Sequence, residues 1–536
     1  MKKLILLLLI MSTSILSFAQ TPIGRLPTPV SYKGKIKPVL LKETRIATQQ
    51  AYSLDIKSIK RTNIRTDLPI TDVEEPVSKE ALAKLQKLEN IKAVILSKKM
   101  KQKANPKFVY KGDGSDKGGD AVTKQVTRES SGCPPDNTVA VSQRGFVVAA
   151  DNRELGFYDN DGNELASFNY TDFYEPVRAG LGEDVCDPKV IYDYESDRFV
   201  FFTQAFSDNT SKSECLLAFS KSQDPRDGWF VYVFHQFRDK EKNWFDYPGL
   251  AYNEKEVFLC GNLFGPGDAD NVIFQFDKSD GYAGQNMNGL MWLDVKQANG
   301  DDASTILPLQ TIPNFFYEKD MLFVSITSGG GSNCYYYRIN NRINNNPQMS
   351  KHEINIPDYE LPTKVSQKET SDKLDGGRVK VRGGLFVDNM IYFAFCKPDA
   401  GGFDGIALTR IRISDFAIKT KYFNDNQNSE YNYPNLAHRG TSPTDHRLLL
   451  VYQRSGINHW PQVRYRKIKS NMSADGSSVT IQSSENFREE CDDDRGARWG
   501  DYIGIQRQGK SNNYWVMGHT GNSSNKWRSH LIKIGL

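Results

Sequence analysis

The sequence predicts an all-β fold, a seven-bladed β-propeller of four-stranded blades, with six or eight blades as the neighbouring alternatives. Three observations predict it. The 536 residues hold 41 Gly, 29 Phe and 25 Tyr, a turn-rich and aromatic composition. A unit of a polar residue, a short apolar strand, a turn and a strongly apolar strand recurs seven times. Two further strand-like runs follow most copies, and closing such sheets into a ring removes the exposed edges that invite aggregation. With 38% apolar and 25% charged residues, the chain is neither disordered, nor collagen-like, nor a multi-span membrane protein.

Residues 1–19 read as a signal peptide. Lys2 and Lys3 precede the apolar run Leu4–Met11, and Ser17-Phe18-Ala19 marks a cleavage site that leaves Gln20. The run is shorter than the roughly 20 residues a membrane span needs, and no later segment reaches that length. The expectation is an exported protein, periplasmic or secreted, soluble and without a transmembrane segment.

Residues 20–128 form a basic N-terminal arm with one helix, over 78–104, and a polar linker, Lys111–Asp120. Ser78 is placed to cap the helix, and Pro106 stops it. Leu82, Leu85, Leu88, Ile91 and Ile95 are expected on its packed face, with Lys84, Lys87, Lys92, Lys98 and Lys99 on the solvated one.

The propeller is expected over 129–536. Its units begin at Asp136, Asp187, Asp246, Thr311, Arg382, Asn432 and Asp501, spaced 51, 59, 65, 71, 50 and 69 residues apart. Each opens an innermost strand: Asp187-Pro-Lys-Val-Ile-Tyr192 leads to Arg198–Thr203, and Asn432-Tyr-Pro-Asn-Leu-Ala437 leads to Arg447–Tyr452. The last copy has one clear strand after its pair, Ser529–Ile534. A strand from the arm, with Lys107–Tyr110 the candidate, is expected to complete that blade and latch the ring.

The hairpin phrase Ser222-Gln-Asp224-Pro-Arg-Asp227-Gly228-Trp229 resembles the Ser-x-Asp-x-Gly-x-Thr-Trp turn of secreted bacterial sialidase-like, Asp-box β-propellers. Asp159-Asn-Asp161-Gly162, Ser279-Asp280-Gly281 and Ser473-Ala-Asp475-Gly476 are weaker relatives in other units. Pro134-Pro-Asp136, Asp187-Pro, Asp246-Tyr-Pro and Arg498-Trp-Gly-Asp501-Tyr also resemble exported propellers of no assigned chemistry. The resemblance covers roughly 129–536 and implies a fold and turn-stabilising carboxylates, not a reaction. Sialidases carry three arginines, a Tyr–Glu pair and an Asp acid. The Arg-Ile-Pro phrase that begins their set is missing here, and Gly24-Arg25-Leu-Pro27, the nearest string, lies in the arm.

If the units align, Asp136, Asp187, Asp246, Arg382, Asn432 and Asp501, with Thr311, ring one mouth of the channel as candidate ligand-binding residues. Asp136, Asp187, Asp246 and Asp501 are candidates to hold Ca²⁺ through carboxylate oxygens, and two of them suffice for acid–base cleavage of a glycoside. The plainer role is that each caps its own strand.

Of seven cysteines, Cys215, Cys260 and Cys396 sit in apolar runs, and loop residues Cys133, Cys186 and Cys491 are the disulfide candidates. The seven histidines show no metal-ligand spacing, and no nucleophile-elbow or zinc-protease motif occurs. Trp244, Tyr247, Trp460 and Trp499 are candidates for a sugar-stacking platform.

The leading expectation is an exported, non-catalytic propeller binding a glycan or an extracellular protein at one channel mouth, without nucleic acid. The alternatives are a glycoside hydrolase or lyase using the Asp ring, and a scaffold whose partner docks on the arm. The net charge of +4 hides a division: residues 20–128 carry +12 and residues 129–536 carry −10. The arm is therefore expected to fold against the propeller or to bind an acidic partner.

Overall fold

The computed structural model describes residues 39–40, 51–59, 77–103, 122–128, 132–175, 177, 184–207, 212–235, 244–265, 268–293, 295–303, 305–311, 319–340, 342–489 and 497–536. Alternating β-branched and aromatic residues build seven antiparallel sheets arranged as blades. Blade 1 is Thr138–Val141, Val147–Ala150, Glu154–Tyr158 and Glu164–Asn169. Blade 2 is Asp184–Asp193, Arg198–Ser207, Lys212–Ser220 and Trp229–His235, and blade 3 is Trp244–Tyr252, Glu256–Gly265, Asp268–Asp277 and Gly289–Leu293. Blade 4 is Leu307–Pro308, Met321–Ile326, Gly331–Asn340 and Gln348–Tyr359. Blade 5 is Gly383–Val387, Met390–Pro398, Asp404–Arg412 and Ile418–Phe423, and blade 6 is Glu430–His438, Leu448–Gly456, His459–Ile468 and Val479–Ser483. Blade 7 is Gly504–Arg507, Asn513–Gly521, Trp527–Gly535 and, from far upstream, Val122–Arg128.

The first strand of each blade lies against the first strand of the next, all the way round to blades 7 and 1. The cores sit between neighbouring sheets. Trp229 is fully buried and stacks on Phe157 of blade 1 at 6.0 Å. Its indole donates to the Pro225 carbonyl at 2.8 Å. In the turn before it Asp224 accepts from the Arg226 N–H at 3.0 Å. The carboxylate turns of the other units work locally too: Asp159 accepts from the Asp161 and Asn163 N–H groups at 2.8 and 2.9 Å.

Two positions differ from the sequence reading. The inner strand of blade 4 is Leu307–Pro308, not the segment beginning at Thr311. Pro308 has no N–H to extend the ladder, and Gln310–Thr311 instead pairs in parallel with Leu385–Phe386 of blade 5. The latch strand is Val122–Arg128, antiparallel to Trp527–Gly535. Lys107–Tyr110, the linker and Cys491 lie outside the described residues.

Among the described residues the arm touches the propeller at four places. Val39–Leu40 pairs with Leu290–Met291 on the outer strand of blade 3, and Tyr52–Leu54 pairs with Trp229–Val231 on that of blade 2. Helix α1, Lys79–Lys103, is capped by Ser78 Oγ accepting from the Ala81 N–H at 3.1 Å, and lies on blades 4 to 6. Gly402, at φ +80°, lets it approach closely, since a Cβ there would lie 2.6 Å from the Leu88 carbonyl. The packed face is only part of the leucine stripe: Leu85 packs against the core, and Leu88 and Ile95 are half-buried. Ala81, Lys92 and Leu96 are buried, while Leu82 and Ile91 face outward, because Lys92 has a buried acidic partner and takes its turn of the helix inward.

The last strand contact is Arg128. Its guanidinium donates to the Tyr158 hydroxyl at 3.0 Å and the Ala149 carbonyl at 3.1 Å, and lies 3.7 Å from Asp151. The latch strand thus ties blade 7 to blade 1 by a buried charge as well as by its ladder. Arg128→Met is expected to lower the unfolding free energy by about 3–5 kcal/mol, because Asp151 is left charged in the interior. The urea midpoint read by tryptophan fluorescence checks this.

Candidate functional site at the channel mouth

In blades 2, 3 and 6 the innermost strand carries the same irregularity. The register slips between Cys186 and Lys189, between Asp246 and Gly249, and between Asn432 and Asn435. Within each slip one residue has left-handed backbone and precedes a proline: Asp187 at φ +53°, Tyr247 at +54° and Tyr433 at +53°. Asp136 in blade 1 is also left-handed, at φ +42°. Left-handed backbone in a non-glycine residue costs of order 1–3 kcal/mol, and a following proline narrows the choice further. These bulges locally break the strand alternation at the mouth.

The equivalent positions therefore differ from the sequence alignment by one residue. Asp187 corresponds to Tyr247 and Tyr433, whereas Asp246 and Asn432 correspond to Cys186. Those three pair across with Gln204, Asn262 and Gln453, buried amides on the second strands. Gln204 donates to Asp187 Oδ2 at 2.8 Å.

Of the predicted ring, the structure brings Asp136, Asp187, Arg382 and Asp501 together. Asp136 accepts from the Asp501 N–H at 2.6 Å with one oxygen and from Asn152 Nδ2 at 2.7 Å with the other. Burial, then Asp501 and Asp187, push its carboxyl well above the usual range. Burial would raise Asp501 too, but Arg498, Lys380, Arg382 and Lys189 outweigh it and hold that carboxyl below the usual range. Arg498 reaches Asp501 at 3.0 Å and Asp375 at 3.1 Å. Arg382 lies 3.8 Å from Asp501 Oδ1, donates to the Tyr247 hydroxyl at 3.2 Å, and covers the Tyr433 ring. Lys189, Lys380, Asp375 and Tyr433 join them here from outside the predicted ring. The Asp187-Pro188-Lys189 phrase was the available signal for the first, since a lysine two residues past the bulge must share the mouth.

Asn432 belongs to a second cluster. Its Nδ2 donates to Asp404 at 3.2 Å, and Asp404 also accepts from the Thr363 N–H at 3.1 Å. Lys92 of α1 enters beside them, pairing with Glu430 and donating to Thr363 Oγ1 at 2.7 Å. Burial, against Lys92 and with Glu430, pushes the Asp404 carboxyl up to about 8.

Below the mouth runs an axial channel of about 190 Å³. Its wall carries inner-strand side chains such as Val139, Ile191, Leu250 and Leu385, the backbone of Gly383, Gly384 and Gly504, and the polar residues Lys189, Gln310, Arg382, Asn435 and Gln506. At the far end Gln506 Nε2 and the Gly509 N–H donate to the Tyr194 hydroxyl at 3.3 and 3.1 Å.

The cysteines divide differently from the expectation. Cys133 is disulfide-bonded, whereas Cys186 is a free thiol, fully enclosed beside Gln204, as are Cys215, Cys260, Cys334 and Cys396. No bridge joins Cys133 to Cys186. The four aromatics form no common platform: Trp499 is interior against Tyr433, Trp244 stacks on Phe206, and Trp460 lies under Lys368.

Three of the four carboxylates predicted to hold Ca²⁺ are engaged by other groups. Asp136 turns both oxygens to N–H groups, Asp187 turns one to Gln204, and Asp501 faces two guanidinium groups, so hydrogens and cations stand where the metal would. Among the described residues no group of three or more His, Cys, Asp or Glu is arranged to hold a metal ion, and no helix is long and apolar enough to cross a membrane.

No family model and no curated protein matches the chain. Similar solved structures include a Trypanosoma rangeli sialidase, at 7% identity and TM-score 0.36, covering 76% of this chain and 59% of that one. The Dos1 propeller matches at 9% and 0.34, covering 74% and 76%. The catalytic domain of a Coprinopsis cinerea GH62 α-L-arabinofuranosidase matches at 12% and 0.28, covering 54% and 90%. The chain thus spans less than two thirds of the sialidase. Such likeness carries nothing about activity, and the propeller stands on its own seven sheets.

Two outcomes follow. Asp404 takes up a proton on folding, so its contribution to stability is complete below its unfolded value near 4 and is lost as pH rises through about 8. Asp404→Asn, whose amide donates to a flipped Asn432 Oδ1, is expected to remove that slope, seen by comparing melting temperatures from pH 4 to 9. Treatment with EGTA is expected to leave the melting temperature unchanged, and a fall would restore the cation.

Proposed function

We propose that this protein is a non-catalytic propeller that holds a glycan or protein ligand at the mouth formed by Asp136, Asp187, Arg382 and Asp501. The observation that supports binding over turnover is how the carboxylates are used. A general acid must present a proton to its substrate, yet both oxygens of Asp136 accept N–H groups, and Asp136 is 1% exposed. Asp501 is neutralised by arginines rather than poised as a base. A retaining or inverting glycosidase needs two such carboxyl groups free toward the sugar.

What remains for a ligand is the channel-facing set of Lys189, Gln310 and Arg382, donors and an amide suited to hydroxyl and carbonyl oxygens. Export, on which this reading of a glycan or extracellular partner rests, follows from the expected signal peptide. A saccharide array probed with the mature chain, and the same polysaccharides screened for new reducing ends, test the proposal. Retention without product is the expected result, and Gln310→Ala should weaken it by about tenfold, the worth of one to two hydrogen bonds. Product formation that Asp187→Asn and Asp501→Asn abolish, with melting temperature kept, would establish the hydrolase or lyase instead.

A further inference from the structure

Lys189 differs from every other charged residue at the mouth. Arg382, Arg498, Asp136 and Asp501 each hold hydrogen bonds or ion pairs, whereas among the described residues Lys189 Nζ has neither. It lies over the Tyr502 ring and lines the channel. The residue is half-buried in the channel wall. The charged groups around it are the carboxyls of Asp136, Asp187 and Asp501 and the guanidinium of Arg382. Burial outweighs the carboxylates and brings the amine down to about 7, so a large share of it is the free base at neutral pH.

The same channel offers two further unsatisfied groups. Arg382 Nε, in a side chain 1% exposed, and both the nitrogen and the oxygen of the Gln310 amide have no hydrogen-bond partner among the described residues. A buried amide without partners costs free energy that a ligand's hydroxyl and carbonyl oxygens would recover.

We propose that Lys189 is a carbonyl-capturing amine that binds a short hydroxy-aldehyde in the channel as a reversible imine, with Gln310 and Arg382 holding its oxygens. The Nζ lone pair forms a C–N bond to the aldehyde carbon as the C=O π pair moves onto oxygen, and one proton passes from that nitrogen to the oxygen, giving a neutral carbinolamine. The carbinolamine takes a second proton on that oxygen and loses water, leaving C=N, and the nitrogen's remaining hydrogen is retained as the iminium or shed to solvent. No oxidant or reductant takes part. An aldehyde suits the narrow lumen better than a ketone because its carbon is the less hindered. This goes beyond holding a ligand at the mouth and fails or stands separately from it, since array binding is read without any carbonyl chemistry.

The test uses the full mature chain with D-glyceraldehyde and cyanoborohydride, which reduces the iminium to a stable secondary amine located by peptide mass spectrometry. At pH 7 Lys189 is expected to be labelled at least about tenfold faster than the exposed Lys84 and Lys124, and its rate to level off above about pH 8 where an ordinary lysine's still climbs toward pH 10. Gln310→Leu should slow the labelling by D-glyceraldehyde but not by propanal, melting temperature serving as the check on folding. Labelling of Lys189 no faster than of the exposed lysines would overturn the proposal. Equal rates with both aldehydes, unchanged in Gln310→Leu, would overturn the hydroxy-aldehyde assignment.

Discussion

The mouth depends on a left-handed residue set before a proline in the innermost strand. Without that bulge, strict alternation would place side chains at fixed two-residue intervals. With it, Asp187, Tyr247 and Tyr433 hold their special backbone while the apolar run beyond each keeps its place in the wall. The conformation is costly, and it persists because the surroundings over-determine it. Gln204 holds Asp187 from the second strand, the Asp375 carboxyl accepts from Tyr433, and Tyr247 lies between Lys380 and Arg382. The bulge thus converts a repeating scaffold into an irregular site. Three blades repeat the same deviation, which makes it a feature of the architecture rather than of one loop.

Charge is managed by the same principle. Buried ion pairs seldom stabilise a fold relative to apolar packing, but removing one partner is severe. The mouth sets Arg382 and Arg498 against Asp375 and Asp501, and α1 sets Lys92 against Glu430. The arm carries a net +12 and the propeller −10, and beside its strand pairings it sends one lysine of α1 into a closed pocket against Glu430. Exposed pairs such as Lys84–Glu360, at 64% and 34% side-chain exposure, add little beside it.

The propeller was legible in the sequence because its signal is distributed: strand periodicity and turn residues recur in every unit, so local errors do not disturb the ring. The turn phrase ending in Trp229, the Ser78 cap and the helix itself were legible because they are local. What failed depends on contacts across the chain. Aligning the units on acidic residues set Asp187 beside Asp246 and Asn432, when the prolines at 188, 248 and 434 mark the equivalent backbone. Thr311 heads no inner strand, although the apolar run after it resembles one, because that strand already ends at Pro308. Periodicity placed Lys92 on the solvated face of α1, because no rule of helix faces can see Glu430. Cys186 looked like a loop cysteine until the bulge put it inside.

The remaining charge at the mouth is the informative one. Every carboxylate there with a described contact is already satisfied by an N–H group or a guanidinium, so the fold has no need of a further cation. Enclosing Lys189 nonetheless draws its amine out of water and toward neutrality, a cost that no ion pair offsets among the described residues. Were its role to pin the blades, an ion pair with Asp136 or Asp187 would serve better, and the bulge places both nearby. An amine kept off its neighbours, resting on an aromatic face and turned to a lumen with two other unpaired donors, is arranged for something that arrives from outside. Marginal stability tolerates few such residues, and the one retained here stands at the point where the channel meets the mouth.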